Sequence, residues 1–175
     1  HVLDVLESTD SVYMQMVHSA MNLLKLEANR IGAPSRRLAQ DTIRGAEGSQ
    51  LPMLYFGEKR MGADFAVVDQ VVDIVGGTAT LFVKRDDKFV RISTNVKRPD
   101  GSRAVGTILD PSGPAIQQIR KGEAFYGVVD ILGKPYITGY DPIHDEKGEV
   151  IGIYYVGYAL ETLTTVGEAI DSQDL

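Results

Sequence analysis

The second half of the chain holds five short β-rich runs, Thr78 to Lys84, Lys88 to Thr94, Ala124 to Asp130, Lys134 to Asp141 and Val150 to Tyr158. Runs of this length, rich in Val, Ile, Thr, Tyr and Phe, form strands. Reversals at Arg85-Asp86-Asp87, Leu132-Gly133 and Glu146-Lys147-Gly148 join neighbours as hairpins. An antiparallel sheet over 78–158 follows, and the rest of the chain must pack against it.

Ahead of the sheet, Val2, Leu6, Thr9, Tyr13, Met16, Ala20 and Leu23 alternate spacings of four and three. That is the seam of a long amphipathic helix, expected over residues 1–31 and stopped by Gly32 and Pro34. The seam suits packing on the chain's own core and a parallel homodimer alike. Residues 32–77 read as an irregular and short-helix cap, in which Gly45, Gly48 and Pro52 interrupt any pattern and Phe65 to Val75 has helical spacing. Pro111 to Arg120 reads as a short crossing helix between the second and third strands, and 159–175 as an exit helix. Both ends read as cut from something longer. The expected architecture is a single α+β domain of 175 residues, with helices on one sheet face and the other face free to hold a ligand under segment 50–65.

Composition removes several functions. With 18 basic against 24 acidic residues the net charge is -6, the wrong sign for a nucleic-acid partner. No cysteine is present, so disulfides and thiolate metal sites are excluded. His1, His18 and His144 have no metal-ligand spacing, and no metal or cofactor is expected. The acidic stretch Asp141 to Glu149 has Glu146 where a calcium loop needs glycine, so a hairpin turn explains it better. No nucleophile elbow or phosphate-cradling glycine loop occurs, which points away from an enzyme. No run of about 18 apolar residues occurs either.

The residues that remain suit binding. In Lys134-Pro135-Tyr136-Ile137-Thr138-Gly139-Tyr140, strict alternation puts Lys134, Tyr136, Thr138 and Tyr140 on one face. An ammonium and three hydroxyls there match a carboxylate ligand, although a solvent-facing sheet collects the same residues. Arg91 lies between bulky apolar residues and, by alternation, shares a face with Phe89 and Ser93; an enclosed guanidinium requires an anion, either a ligand's or an internal one such as Asp130. Arg103, in a loop, carries the same two readings.

The words Ala79-Thr80-Leu81-Phe82, Phe89-Val90-Arg91-Ile92-Ser93-Thr94-Asn95-Val96, Asp100-Gly101-Ser102-Arg103-Ala104-Val105-Gly106-Thr107, Pro135-Tyr136-Ile137-Thr138-Gly139-Tyr140-Asp141-Pro142-Ile143 and Val150-Ile151-Gly152-Ile153-Tyr154-Tyr155-Val156-Gly157 resemble the single-Cache sensor domains of bacterial chemoreceptors. The resemblance covers roughly residues 50–160. It implies a PAS-like fold, a periplasmic position between two membrane helices that lie outside this chain, and a small organic-acid ligand such as acetate, propionate or pyruvate. It implies Arg91 and Lys134 as carboxylate anchors, Tyr126, Tyr136 and Tyr140 as the pocket wall, and Ser93 and Arg103 as lesser contacts. Leu54 and Met61 are then expected to close the pocket. A chemotaxis receptor, a histidine kinase and a diguanylate cyclase all accept such an input, and the rival reading is a ligand-free structural or dimerisation module.

Overall fold

The computed structural model describes residues 2–40 and 49–163. A long helix α1 (Val2–Ile31) leads into strands β1 (Pro34–Gln40), β2 (Gln50–Phe56) and β3 (Lys59–Arg60). Helix α2 (Ala66–Val75) follows, then β4 (Thr78–Arg85), β5 (Lys88–Thr94), helix α3 (Pro114–Arg120), β6 (Phe125–Ile131), β7 (Lys134–His144) and β8 (Val150–Ala159).

The five β-rich runs form one antiparallel sheet in the order β5-β4-β8-β7-β6. Strands β4, β7 and β8 carry buried apolar residues on both faces, so the sheet has a core on either side. On one side α1, α2 and the β2 region pack over Leu81, Val83, Ile92, Ile137, Tyr154 and Val156. On the other, α3 and the 96–109 segment pack over Phe82, Phe89, Tyr140, Ile153 and Tyr155. The β7–β8 hairpin is closed by Asp145, whose Oδ1 accepts the backbone N–H groups of Lys147 and Glu149, both at 2.9 Å.

Three expectations need correction. The cap is not irregular: β1 pairs antiparallel with β2 from Pro34–Phe56 to Gln40–Gln50, and β3 adds to β2. Scattered glycines and Pro52 masked a ladder whose outer strand is mostly polar, so neither hydrophobic period is visible there; Gly45 and Gly48 lie outside the described residues. Second, α1 buries Val17, Ala20, Met21, Leu24 and Ala28, a stripe offset from the expected seam. Met16 stays on the surface, and the side chains of Val2, Leu6 and Thr9 lie outside the described residues. Third, Met53, Leu54, Phe56 and Met61 belong to the core beside α1, so segment 50–65 covers the helix face and not the free one. The exit helix is described only at 160–163, and the remainder of 159–175 lies outside the described residues.

Helix α1 approaches β7 closely because Gly139 offers no side chain. A Cβ there would press on the Tyr126 ring and lie 3.0 Å from Val17. The space admits Tyr126, which stacks on His18 of α1 with ring centroids 3.9 Å apart.

Candidate functional site

The face of the sheet away from α1 carries a cavity of about 310 Å³, at the small end of ordinary ligand pockets. Strand β5 contributes Arg91, β7 contributes Tyr140, the loop before α3 contributes Leu109 and Asp110, and the first turn of α3 contributes Pro114 and Ala115. Edge strand β6 closes the side with Val129 and Ile131.

Arg91 is 5% exposed. Its Nη1 donates to the Thr107 hydroxyl at 3.0 Å and to the Ile108 carbonyl at 3.2 Å, and its guanidinium carbon lies 5.0 Å from the centre of the Phe82 ring. Among the described residues neither Nε nor Nη2 has a hydrogen-bond partner, and no carboxylate pairs with the group. Burial lowers its pKa, with the nearby Tyr140 and Tyr155 phenols acting weakly in the opposite direction. A guanidinium in that position stays charged, because its ordinary pKa is above 12, and it is short of an anion. Tyr140 is 1% exposed and packed against Phe82, Phe125 and Tyr155. Burial holds its phenol neutral far above the ordinary range, and its hydroxyl has no hydrogen-bond partner among the described residues.

The guanidinium is held by a segment without regular structure. The backbone of 104–109 runs along the edge of β5, where Arg91 N–H donates to Thr107 O at 2.9 Å and Gly106 N–H donates to Arg91 O at 2.8 Å. The Thr107 hydroxyl donates onward to Ala104 O at 2.6 Å, which turns its lone pairs toward Nη1. Thr107 and Asp110 were not singled out from sequence. They lie in a loop with no period, and only its pairing with β5 brings them to the site.

The other expected site residues separate. Tyr136 is half-buried in the cavity-side core, its phenol pKa raised by burial and then by Glu161. Lys134 is exposed at the β6–β7 turn and does not line the cavity. Ser93 does not share a face with Arg91, because a bulge between Leu81 and Phe82 shifts the register: Phe82 opposes Arg91, and Leu81 opposes Ser93. The Ser93 hydroxyl instead donates to Asp64 O at 2.5 Å. Tyr126 opposes Gly139, so it lies on the α1 face, opposite to Tyr140. Arg103 is occupied within the fold. Its two terminal nitrogens grip both Asp69 oxygens of α2 at 2.7 and 2.8 Å, and it stacks on Phe65. Asp130 makes no ion pair with Arg91.

This geometry is that of a cavity on one face of a sheet with the long helix on the other. Residues 1–175, the whole chain, match the model of the Cache 3/Cache 2 fusion domain. The chain belongs to this Cache family. Cache domains are extracytoplasmic sensor domains of membrane signalling proteins, which places this domain outside the cytoplasmic membrane. Among solved structures, the Cache domain is similar to the sensor domain of E. coli DcuS, at 20% identity over 57% of this chain and 68% of that one, with a TM-score of 0.44. It is also similar to the ligand-binding domain of the Campylobacter jejuni chemoreceptor Tlp3 in complex with L-valine, at 10% identity over 92% and 64% of the two chains, TM-score 0.44. The periplasmic domain of Chlamydia trachomatis RsbU aligns at 15% identity over 93% and 56%, TM-score 0.37. Comparison with curated proteins by sequence gives no match.

Proposed function

We propose that this Cache domain is the input module of a transmembrane receptor, a chemoreceptor or a sensor kinase, and that it binds a small organic anion in the cavity over β5 and β7. One observation carries the reading: Arg91 is a buried cation that faces a cavity with donors to spare and, among the described residues, is paired with no carboxylate. A buried charge without a partner costs several kcal/mol, and an anionic ligand offsets that cost on binding. The Tyr140 hydroxyl supplies a second donor, and Leu109, Ala115 and Ile131 supply apolar wall.

Signal passes through the sheet by alternation. Tyr140 faces the cavity, and its neighbour Asp141 forms an ion pair with Lys25 of α1. On β8, Tyr155 packs in the cavity-side core, and its neighbour Tyr154 accepts a hydrogen bond from Asn29 of α1 at 2.9 Å. A ligand that draws β7 and β8 toward Arg91 therefore shifts the anchors of α1, and the output is a displacement of that helix. The surface of α1 supports a parallel homodimer as well: Val12 (54% exposed), Met16 and Leu26 (56% exposed) fall on heptad positions outside the buried stripe.

The test is thermal unfolding of the domain against a panel of short mono- and dicarboxylates. Saturation at about 100 times Kd stabilises by about 2.7 kcal/mol, and Arg91→Met is expected to abolish the gain. If no acid raises Tm, the ligand-free structural module is the better reading.

A further inference from the structure

Residues 96–109, the segment that holds Arg91, also reach the far side of the sheet. Val96, Ala104 and Leu109 place the segment in the cavity-side core. It is stitched to itself: Ala104 N–H donates to Val96 O at 2.8 Å, and Arg98 donates to the carbonyls of Arg103 and Val105. A loop braced in this way shifts as a unit. At one end Thr107 and Ile108 bond the Arg91 guanidinium. At the other, Arg103 passes the end of β5 and holds the start of α2. Its Nη1 and Nη2 grip the two Asp69 oxygens at 2.7 and 2.8 Å, Nη1 also donates to Thr94 O at 3.1 Å, and the guanidinium stacks on Phe65 at 4.2 Å. Phe65 is the N-cap of α2 and Asp69 lies in its first turn, while Val67, Val68 and Val71 of that helix pack in the core beside α1.

We propose that Arg103 and Asp69 form a strap around the edge of β5 that ties the loop over the cavity to α2, so that a change in how Arg91 is held is felt on the helix side of the sheet. The sheet itself keeps the two cores apart. The fork of two parallel bonds fixes angle as well as distance, whereas an ammonium in its place fixes distance alone. Both side chains are partly exposed, at 33% and 42%, so the pair adds little to stability. Its consequence lies in where its ends sit: one in the loop that supplies both acceptors of Arg91, the other on a helix packed against α1. A rival link joins β5, not the loop, to the segment before α2, through the Ser93 hydroxyl on Asp64 O and Ala63 N–H on Ile92 O. The strap is a property of the fold and holds whichever molecule fills the cavity.

The experiment is amide hydrogen exchange by NMR on the ligand-free 175-residue chain, as a double-mutant cycle between Arg91→Met and a cut strap, either Arg103→Gln or the isosteric Asp69→Asn. Arg91→Met releases Thr107 and Ile108 from the guanidinium. The reporter is the Asp69 N–H, which donates to Phe65 O at 2.9 Å, with amides in the centre of β8 as the reference for global stability. With the strap intact, Arg91→Met is expected to speed exchange at Asp69 about threefold, within the reach of a partly exposed ion pair, and with the strap cut by less than about 1.5-fold. A pair that only adds stability gives additive effects and leaves Asp69 indifferent to Arg91. No change at Asp69 with the strap intact overturns the proposal, and so does a change that persists when the strap is cut, which assigns the coupling to the Ser93 link. Should Arg103→Gln fail to fold, Asp69→Asn carries the same test. Since no ligand enters, the result is independent of whether any carboxylate raises Tm.

Discussion

Replacing Arg91 with methionine separates the cost of the site from its use. Methionine approximates the volume of the arginine stem and fills the space over Phe82. Exchanging a buried charge for an apolar group of similar volume stabilises by about 1–4 kcal/mol. Against this stands the loss of two hydrogen bonds, to Thr107 and Ile108. The Thr107 hydroxyl keeps its bond to Ala104 O, and Ile108, 41% exposed, can return its carbonyl to water, so the loss is about 1 kcal/mol. The net is a gain of about 0–3 kcal/mol without ligand, with a midpoint of about 1.5 kcal/mol, or roughly 3–6 °C in Tm for a chain of this length. With a bound acid at about 100 times Kd, wild type gains about 2.7 kcal/mol and the variant gains nothing, so the order of melting reverses. Calorimetry with and without the acid that gives the largest shift reads both quantities. A ligand-free variant that melts more than about 5 °C below wild type would refute the reasoning, because Arg91 would then be a structural group already satisfied within the fold.

Gly152→Ala is expected to destabilise by about 2–3 kcal/mol, since the new Cβ would collide with the Phe82 carbonyl oxygen of the neighbouring strand and backbone gives way poorly; a change below about 0.5 kcal/mol in urea unfolding counts against that packing. Alkaline pH is the next lever: the Tyr126 phenol is pushed up to about 12, chiefly by burial and then by Asp141, so the folded state favours the neutral form. Its contribution is complete below the ordinary phenol pKa of about 10 and is lost as pH rises from about 10 through about 12. Melting curves across that window should fall more gently in Tyr126→Phe, and identical slopes would contradict the assignment. Leu26→Glu, on the outer stripe of α1, should leave the monomer's Tm within about 1 °C while preventing association in sedimentation; wild type that sediments as a monomer at high concentration, with and without ligand, argues against the dimer. Lys25→Met should keep ligand affinity within about threefold but remove the ligand-dependent change in spin-label distance between α1 and β7. An undiminished distance change would place the coupling elsewhere.

The sheet was legible because each strand announces itself locally. Every expected run from Thr78 to Tyr158 lies in a strand within a residue or two of its bounds, except that β7 extends to His144. The β1–β2 ladder was not legible, since Pro34–Gln40 is mostly polar and partly exposed and shows no period to read. The site was legible in one residue and obscured in its neighbours, for the same reason each time: face assignment by alternation holds only while the register is unbroken. Arg91 keeps its face because it precedes the irregularity, and Ser93 loses it because a bulge intervenes. Resemblance implies Tyr126 as a pocket wall, whereas its pairing with Gly139 puts it against α1. Thr107 and Asp110 carry no local signal at all, because a loop acquires a face only from the strand it lies against. A binding site of this kind is a property of register across strands distant in sequence, and the anchor that can be read without it is the residue whose burial is chemically untenable alone, a guanidinium set among Phe89, Val90 and Ile92.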